Sequence, residues 1–470
     1  MPDPTKRSGK NASGLIPLLI AVVLIPAALG SSKTIFNDGD VSWHIATGQW
    51  ILDHRAIPHA DPFSFTRLGT PWVPIEWLSE MIYALAYRLD GYAGVAALVT
   101  AALMALHAIV FCNAARFVRP WFAVCTLVAV DVVCIPMMLA RPHLLTWPLL
   151  ACWTWLMLDA REHDRAPPIA AALLMTLWAN LHGSWVFGLA IAGAFGLEAL
   201  VASADRTRAF RQWLIFGAAC LVAVFMNGIG IDGVLHPFRI AGLKTLTLID
   251  EWKPSSPAVT PWFFAVLALT LTLIAWKRPR LHPVRWILLA VLLAFALWQV
   301  RQQAMLAIVA AMVLPEGFSR TAERGVVGSR MDAVFASALA FVLIVARVIL
   351  PLSPPENGSN PWKLIAAVPP QLRSQPVLNG FSMGGPLILS GIRPYIDGRG
   401  DVYGDAMMLD YSRLSKGDPQ ALSHAVERWN IRWAILPNDY KALIGLLERS
   451  DQWREIASDK AGVIYVRTRA

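Results

Sequence analysis

Residues 14–54 read GLIPLLIAVVLIPAALGSSKTIFNDGDVSWHIATGQWILDH. An unbroken apolar run, Leu15–Leu29, gives way to a turn that carries two carboxylates, Asp38 and Asp40, around Gly39. The run follows the basic stretch Met1–Lys10 and has no small-residue cleavage site before Ser31. It is therefore expected to remain as a helix rather than be removed as a signal peptide.

The rest of the chain repeats the pattern of apolar runs broken by short polar loops. Of 470 residues, 56% are hydrophobic, 20 are Trp and 16% are charged, a balance far from that of a soluble globular domain. A net charge of +9 would suggest nucleic acid as partner in a soluble protein. Here the basic residues sit in short loops between apolar runs, where topology requires them, and no nucleic-acid partner is expected. Cys112, Cys125, Cys134, Cys152 and Cys220 lie in or at the ends of those runs, without a Cys-x-x-Cys pair.

A hydrocarbon core of roughly 30 Å needs about 20 apolar residues per helix, which predicts about eleven spans. They fall near 14–30, 91–112, 121–139, 143–158, 168–181, 184–202, 212–227, 260–276, 285–300, 303–315 and 332–352. Alternate connections hold Lys6/Arg7/Lys10, Arg116/Arg119, Arg161/Arg165, Arg206/Arg208/Arg211, Lys277/Arg278/Arg280/Arg285 and Arg320/Arg324/Arg330. Short Lys/Arg-rich loops mark the cytoplasmic side, so the amino terminus is expected inside and everything after Leu352 outside. The predicted architecture is an α-helical polytopic membrane protein: a transmembrane domain (1–352) with a large first outer loop (31–90), then a small extracytoplasmic α/β domain (353–470). In that domain Pro376–Leu378, Pro394–Ile396, Trp433–Ile435 and Gly462–Val466 read as strands, and Asp418–Trp429 and Tyr440–Arg449 as helices. No internal repeat is visible, which weighs against a transporter built from repeated halves.

Sorting the loops by side separates the chemistry. The inner loops hold Arg, Lys and a few acids. The outer loops hold Asp38, Asp40, His44, His59, Asp61, Glu76, Arg141-Pro142-His143, Asn180-Leu181-His182, Asp232, His236, Asp250, Glu251 and Arg301-Gln302-Gln303. Five separate loops supplying such groups on one side predict a shared extracytoplasmic site. Asp38 and Asp40 at i, i+2 can hold a divalent cation or leave one carboxylate free as a base; the bland reading is an Asx turn capping a helix that starts at Val41. Val41–His54 is expected as a helix lying in the membrane interface, followed by a turn at His59–Ser64, an aromatic-Pro stretch at Pro71–Leu78, and a second amphipathic helix, Leu78–Leu89.

That order of span, Asp motif, interfacial helix, turn, aromatic-Pro stretch with an acid, second interfacial helix and span resembles the GT-C superfamily of membrane glycosyltransferases. The group includes protein O-mannosyltransferases and the lipid A aminoarabinose transferase. By position Asp40 matches the family's first acid and Glu76 its later one; Val41 stands where the lipid A branch has a paired Glu, and Trp77 where it has a Lys. The resemblance covers Leu15–Phe111 and is architectural beyond. It implies an inverting transfer of sugar from a polyprenyl-phosphate donor to a lipid, glycan or protein acceptor in a bacterial inner membrane. On this reading Asp40 is the general base, Asp38 a partner or metal ligand, and Glu76 orients the acceptor or shares a divalent metal ion with Asp40. Arg301 with Gln302, and Arg141, are candidates for the leaving phosphate, while His44, His59, His143, Asn180 and His182 are candidates to bind substrate. The sequence also admits a lipid-linked-sugar transporter or flippase, for which Asp131 is the one acid deep in a span, a non-catalytic scaffold, or a glycan ligase.

Overall fold

The computed structural model describes residues 12–319 and 329–468. The basic residues Lys6, Arg7, Lys10, Arg320 and Arg324 lie outside them. The chain begins with α1 (Ala12–Leu19), a π-helical turn at Ile20–Leu24 and α2 (Ile25–Gly30), then α3 (Asp40–His54) and α4 (Trp77–Ala114). Next come α5 (Pro120–Cys134), α6 (Pro142–Glu162), α7 (Leu173–Leu181), α8 (Trp185–Ala202), α9 (Arg206–Phe225) and α10 (Ile231–Ala241). The helical region closes with α11 (Pro261–Lys277), α12 (Pro283–Trp298), α13 (Gln303–Phe318) and α14 (Arg330–Ile349). Every apolar stretch expected to span is helical. Among the described residues, five helices are long and apolar enough to cross a membrane: α4, Pro120–Met137, α8, α9 and α14. Gly14–Gly30, Ile169–Leu181, α11 and α12 are apolar but shorter.

The outer surface of this bundle is greasy. Trp262, Leu269 and Trp276 on α11 and Met331, Phe341 and Ile349 on α14 are exposed, an arrangement costly in water and natural in lipid. Inside, small residues allow close packing: Ala93, Ala96 and Ala97 of α4 are buried, and α4 packs against α2 and α6. Helix α4 bends at Asp90–Gly91, where Gly91 takes φ 53°, ψ −135°, a conformation open to glycine and unfavourable for other residues. The bend separates the amphipathic first turns from the long apolar part, as the sequence suggested.

Polar residues collect at opposite ends of the same helices. Helix α6 has 21 residues, about 30 Å at 1.5 Å per residue, with Arg141 before its start and Arg161 in its last turn. Glu198 lies near the end of α8, whose start follows His182; Arg285 opens α12, whose end precedes Arg301. Arg285 grips Glu198 through Nε (2.8 Å) and Nη2 (2.9 Å) and also meets Glu316, and Arg161 Nε lies 3.4 Å from Glu198. This buried ion cluster ties α6, α8, α12 and α13 together at one end, leaving the other end to the candidate site.

The tail, which opens with Pro354-Pro355-Glu356-Asn357-Gly358, is a four-stranded sheet of β1 (Val377–Asn379), β2 (Trp433–Pro437), β3 (Trp453–Ser458) and β4 (Gly462–Arg467) in the order β1-β2-β4-β3. The β1–β2 pair is parallel and the others antiparallel. With it pack α15 (Trp362–Ala367), α16 (Gly384–Leu389), α17 (Gly400–Ser415), α18 (Pro419–Trp429) and α19 (Lys441–Glu448). One expectation is corrected. Pro394–Ile396 is not a strand: Asn379 Oδ1 accepts from Tyr395 N (2.8 Å) and Asn379 Nδ2 donates to Ile396 O (2.7 Å), so a side chain takes the place of a ladder. Helix α3 is buried without interruption from Val41 to Gly48, because it packs against both α4 and the tail's α16. The strand β3 and helix α17 were not foreseen.

Candidate functional site

The turn after the first span is shaped by Asp38, whose Oδ1 accepts from Asp40 N at 3.0 Å. This Asx turn leads into α3, which starts at Asp40 itself, so the turn is present while Gly39 rather than Asp40 holds the capping position. It does not exhaust the motif, because both carboxylates also point at Arg141, which stands at the start of α6. Arg141 Nη2 contacts Asp38 Oδ2 directly and lies 2.9 Å from Asp40 Oδ2. Its Nη1 donates to Glu251 Oε2 at 3.0 Å. Glu251 in turn lies 3.6 Å from Arg301 Nη1, and Arg301 stacks on Trp252 with its guanidinium carbon 4.2 Å from the ring centroid.

A second group adjoins the first. His182 Nδ1 accepts from Ser184 N at 3.1 Å, so its proton is on Nε2, which faces Glu76 Oε1 at 3.2 Å. His44 Nε2 lies 3.9 Å from Glu76 Oε2, and its Nδ1 is 3.3 Å from Glu80 Oε1. The His143 ring is 6.3 Å from that of His182 and donates from Nε2 to Met137 O at 2.7 Å. The structure thus brings together Asp38, Asp40, Arg141 and Arg301 on one side, and His44, Glu76, His143 and His182 on the other.

Burial and crowding set the electrostatics. Burial, Glu251, Asp397 and Glu76 push Asp40 up to about 7. Trp43 works the other way and does not outweigh them. Burial, with Asp401 and Glu251, pushes Glu76 up to about 8, against the pull of Arg301. Burial would raise Glu251 too, yet Arg141 and Arg301 outweigh it and hold its carboxyl below the usual range. Burial and the nearby Arg301 and His143 keep His182 neutral well below its ordinary value, and burial with His143 and Arg399 does the same to His44. Neutral pH therefore finds a charged Glu251, an Asp40 near its midpoint and a largely protonated Glu76.

Other expected ligands fall elsewhere. Asn180 is committed to structure: Oδ1 accepts from Trp77 Nε1 (2.9 Å) and Gly228 N (3.0 Å), and Nδ2 donates to Thr176 O and Met226 O. His59 is exposed, and its carbonyl accepts from Trp72 N at 3.0 Å. Gln302 faces Gln299 at 3.3 Å. At the two tentative metal positions, Asp40 meets a guanidinium and Glu76 an imidazole N–H, and no group of three or more His, Cys, Asp or Glu among the described residues is placed to hold a metal. Glu80 and Trp252 were not singled out from the sequence, and Glu251 was counted among the outer-loop groups without a role of its own. Glu80 had a signal, being four residues after Glu76 on one helical face.

A groove of about 490 Å3, lined by Trp77, Leu78, Leu173, Thr176, Leu177 and Asn180 among others, opens beside Glu76. Leu173 and Leu177 are exposed there. No protein-family profile matches this chain, and no curated protein sequence matches it.

Proposed function

We propose that this protein is an integral-membrane glycosyltransferase of the GT-C type that moves a sugar, with inversion, from a polyprenyl-phosphate donor to an extracytoplasmic acceptor. The observation that supports it best is the convergence of Asp38, Asp40, Arg141, Glu251 and Arg301, from four separate segments, at one end of the helices. Displacement at an anomeric carbon needs a base for the acceptor hydroxyl and fixed positive charge for the leaving phosphate. Asp40, held near neutrality, takes the acceptor proton as the new C–O bond forms. The bond from the anomeric carbon to the phosphate oxygen breaks, and its electron pair leaves with the phosphate. Arg301 is the more exposed of the two arginines, 24% against 18%, and is the better placed to meet that phosphate. The greasy groove beside Glu76 suits an isoprenoid chain. A bacterial inner membrane, with the amino terminus cytoplasmic, about eleven spans and the tail in the periplasm, completes the reading.

The test is to purify wild type and Asp40→Asn and measure binding and turnover of a panel of polyprenyl-phosphate sugars. Release of polyprenyl phosphate by wild type, with binding but no turnover in the variant, supports the enzyme. Equal binding with turnover by neither protein would replace it with a transporter or scaffold. His107 and Asp131, the buried pair a transporter reading would use, are 3.0 Å apart and anchored by His107 Nδ1 to Ala21 O at 2.7 Å, which suits a structural tie.

A further inference from the structure

The motif Asp397-Gly398-Arg399-Gly400-Asp401 of the tail is far from the first loop in sequence and lies directly on it. A Cβ on Gly398 would fall on Oδ1 and Cγ of Asp40. Gly398 does not have a positive φ, so glycine is required there by contact rather than by backbone conformation. The seam continues next to it: a Cβ on Gly385 would strike Gly39 O, and one on Gly384 would strike Ile396 O and Asp397.

The loop is locked from behind. Arg399 donates from Nε and Nη2 to the two oxygens of Asp397 (2.8 and 2.6 Å) and from Nη1 to Asp61 Oδ1 at 2.7 Å. Tyr403 OH donates to Asp397 Oδ2 at 2.6 Å. The guanidinium also lies over Trp72 and Phe63, at 4.8 and 5.2 Å from the ring centroids. Asp61 is itself fixed by Phe63 N, Ser64 N and Ser64 Oγ, the last at 2.5 Å. Arg399, Asp397 and Asp61 are all at least 98% buried. Such a satisfied buried network has one low-energy geometry, and the surface it presents is Gly398 against Asp40. At its other end the same loop is pinned to the segment after α10 by Asp405, which accepts from Thr245 N (3.0 Å) and Thr245 Oγ1 (2.7 Å).

We propose that the tail forms a wall of the site and that Gly398 is a positioning residue, whose missing side chain lets the Arg399-locked loop close on the Asp40 carboxylate and hold its other oxygen on Arg141. The kinetic consequence rests on the glycosyltransferase reading; the contact itself does not. Gly398→Ala adds one methyl group where only the carboxylate can yield, turning it off Arg141. Gly400→Ala is the matched control, because a Cβ there meets only Ile249 Cδ1 at 3.8 Å and Met408 Cε at 4.0 Å.

The experiment compares full-length wild type, Gly398→Ala and Gly400→Ala in detergent, by thermal unfolding, turnover of polyprenyl-phosphate sugars, and amide hydrogen exchange over residues 37–48. Displacing a catalytic group by about 1 Å costs about 100-fold in rate. That loss is expected in kcat for Gly398→Ala with donor KM unchanged, alongside faster exchange at 37–48, while Gly400→Ala matches wild type in all three. Equal kcat and equal exchange in the two variants would overturn the proposal. So would a fall in KM affinity and thermal stability without a kcat effect, which a merely structural contact predicts. If wild type turns over no donor, the function reading fails and the exchange comparison alone decides whether Gly398 holds the Asp40 turn.

Discussion

Arg141 Nη1 donates to Glu251 Oε2 at 3.0 Å, joining residues 110 positions apart, while the same guanidinium holds Asp38 and Asp40 from the first loop. Three acids depend on one fork, and among the described residues only Glu251 has a second arginine, Arg301. Replacing Arg141 by Ala should therefore leave buried carboxylates uncompensated and destabilise the fold by about 3 kcal/mol. Arg141→Lys keeps the charge and loses the bidentate geometry. It should retain most of the stability and still lose most of the turnover. Thermal unfolding alongside turnover checks both; an active Arg141→Lys enzyme would show that the fork is not needed.

Asp40 at about 7 and Glu76 at about 8 are raised above their ordinary values of 3.8 and 4.5. A raised carboxyl binds protons in the folded chain that the unfolded chain has already released. Its contribution is present below about pH 4 and is lost as pH rises through the folded value. Wild type should lose stability between about pH 4 and pH 8 relative to Glu76→Gln, whose side chain stays neutral. Melting curves of the two proteins across that window test the sign; a gap that narrows with rising pH contradicts it.

In the proposed reaction Asp40 acts as the base and must be ionised, so kcat should fall on the acid side with an apparent midpoint near 7. Asp397 is one of the negative neighbours that raise it. Asp397→Asn should move that limb to lower pH, read from pH–rate profiles in which the alkaline limb serves as internal reference.

At the opposite helix ends, Arg285 is buried between Glu198 and Glu316. Arg285→Met should cost about 3 to 5 kcal/mol by leaving Glu316 without its arginine and Glu198 with Arg161 alone. Because the cluster is separated from Arg141 by the length of α6, donor KM should be unaffected in whatever protein folds. Arg285→Met together with Glu198→Gln and Glu316→Gln should recover most of the stability, which scanning calorimetry would show.

Sidedness is testable without substrate. His59 and Arg239 are exposed and belong with the site end, whereas Arg206 is exposed and opens α9 at the ion-cluster end. In intact cells an impermeant thiol reagent should label His59→Cys and Arg239→Cys but leave Arg206→Cys unlabelled until the membrane is broken. The reverse pattern would invert the topology.

Much of this molecule is written locally. Apolar runs of helix length between basic loops specify the helices, since each buries its backbone groups within itself. The break at Asp90–Gly91 and the Asx turn at Asp38 are equally local, readable from a glycine and a short acidic side chain. The gathering of acids and bases at helix ends was likewise legible, because it falls in the short polar breaks between apolar runs.

Only the tertiary structure decided which of them meet. Whether Asp40 faces a metal, a proton or a guanidinium depends on Arg141 arriving from α6 and Glu251 from a loop 110 residues further on. Asn180 looked like a ligand and is consumed by Trp77 and Gly228; the competition for its amide is settled by packing, which carries no sequence period. The tail's Asp397-Gly398-Arg399 is a glycine between two charges in the sequence and lies on Asp40 in space, because the Arg399 network closes only when Asp61, from the first loop, is brought to it. Helices were determined by the chemistry of neighbours along the chain, and the site by contacts between segments that only the fold makes neighbours.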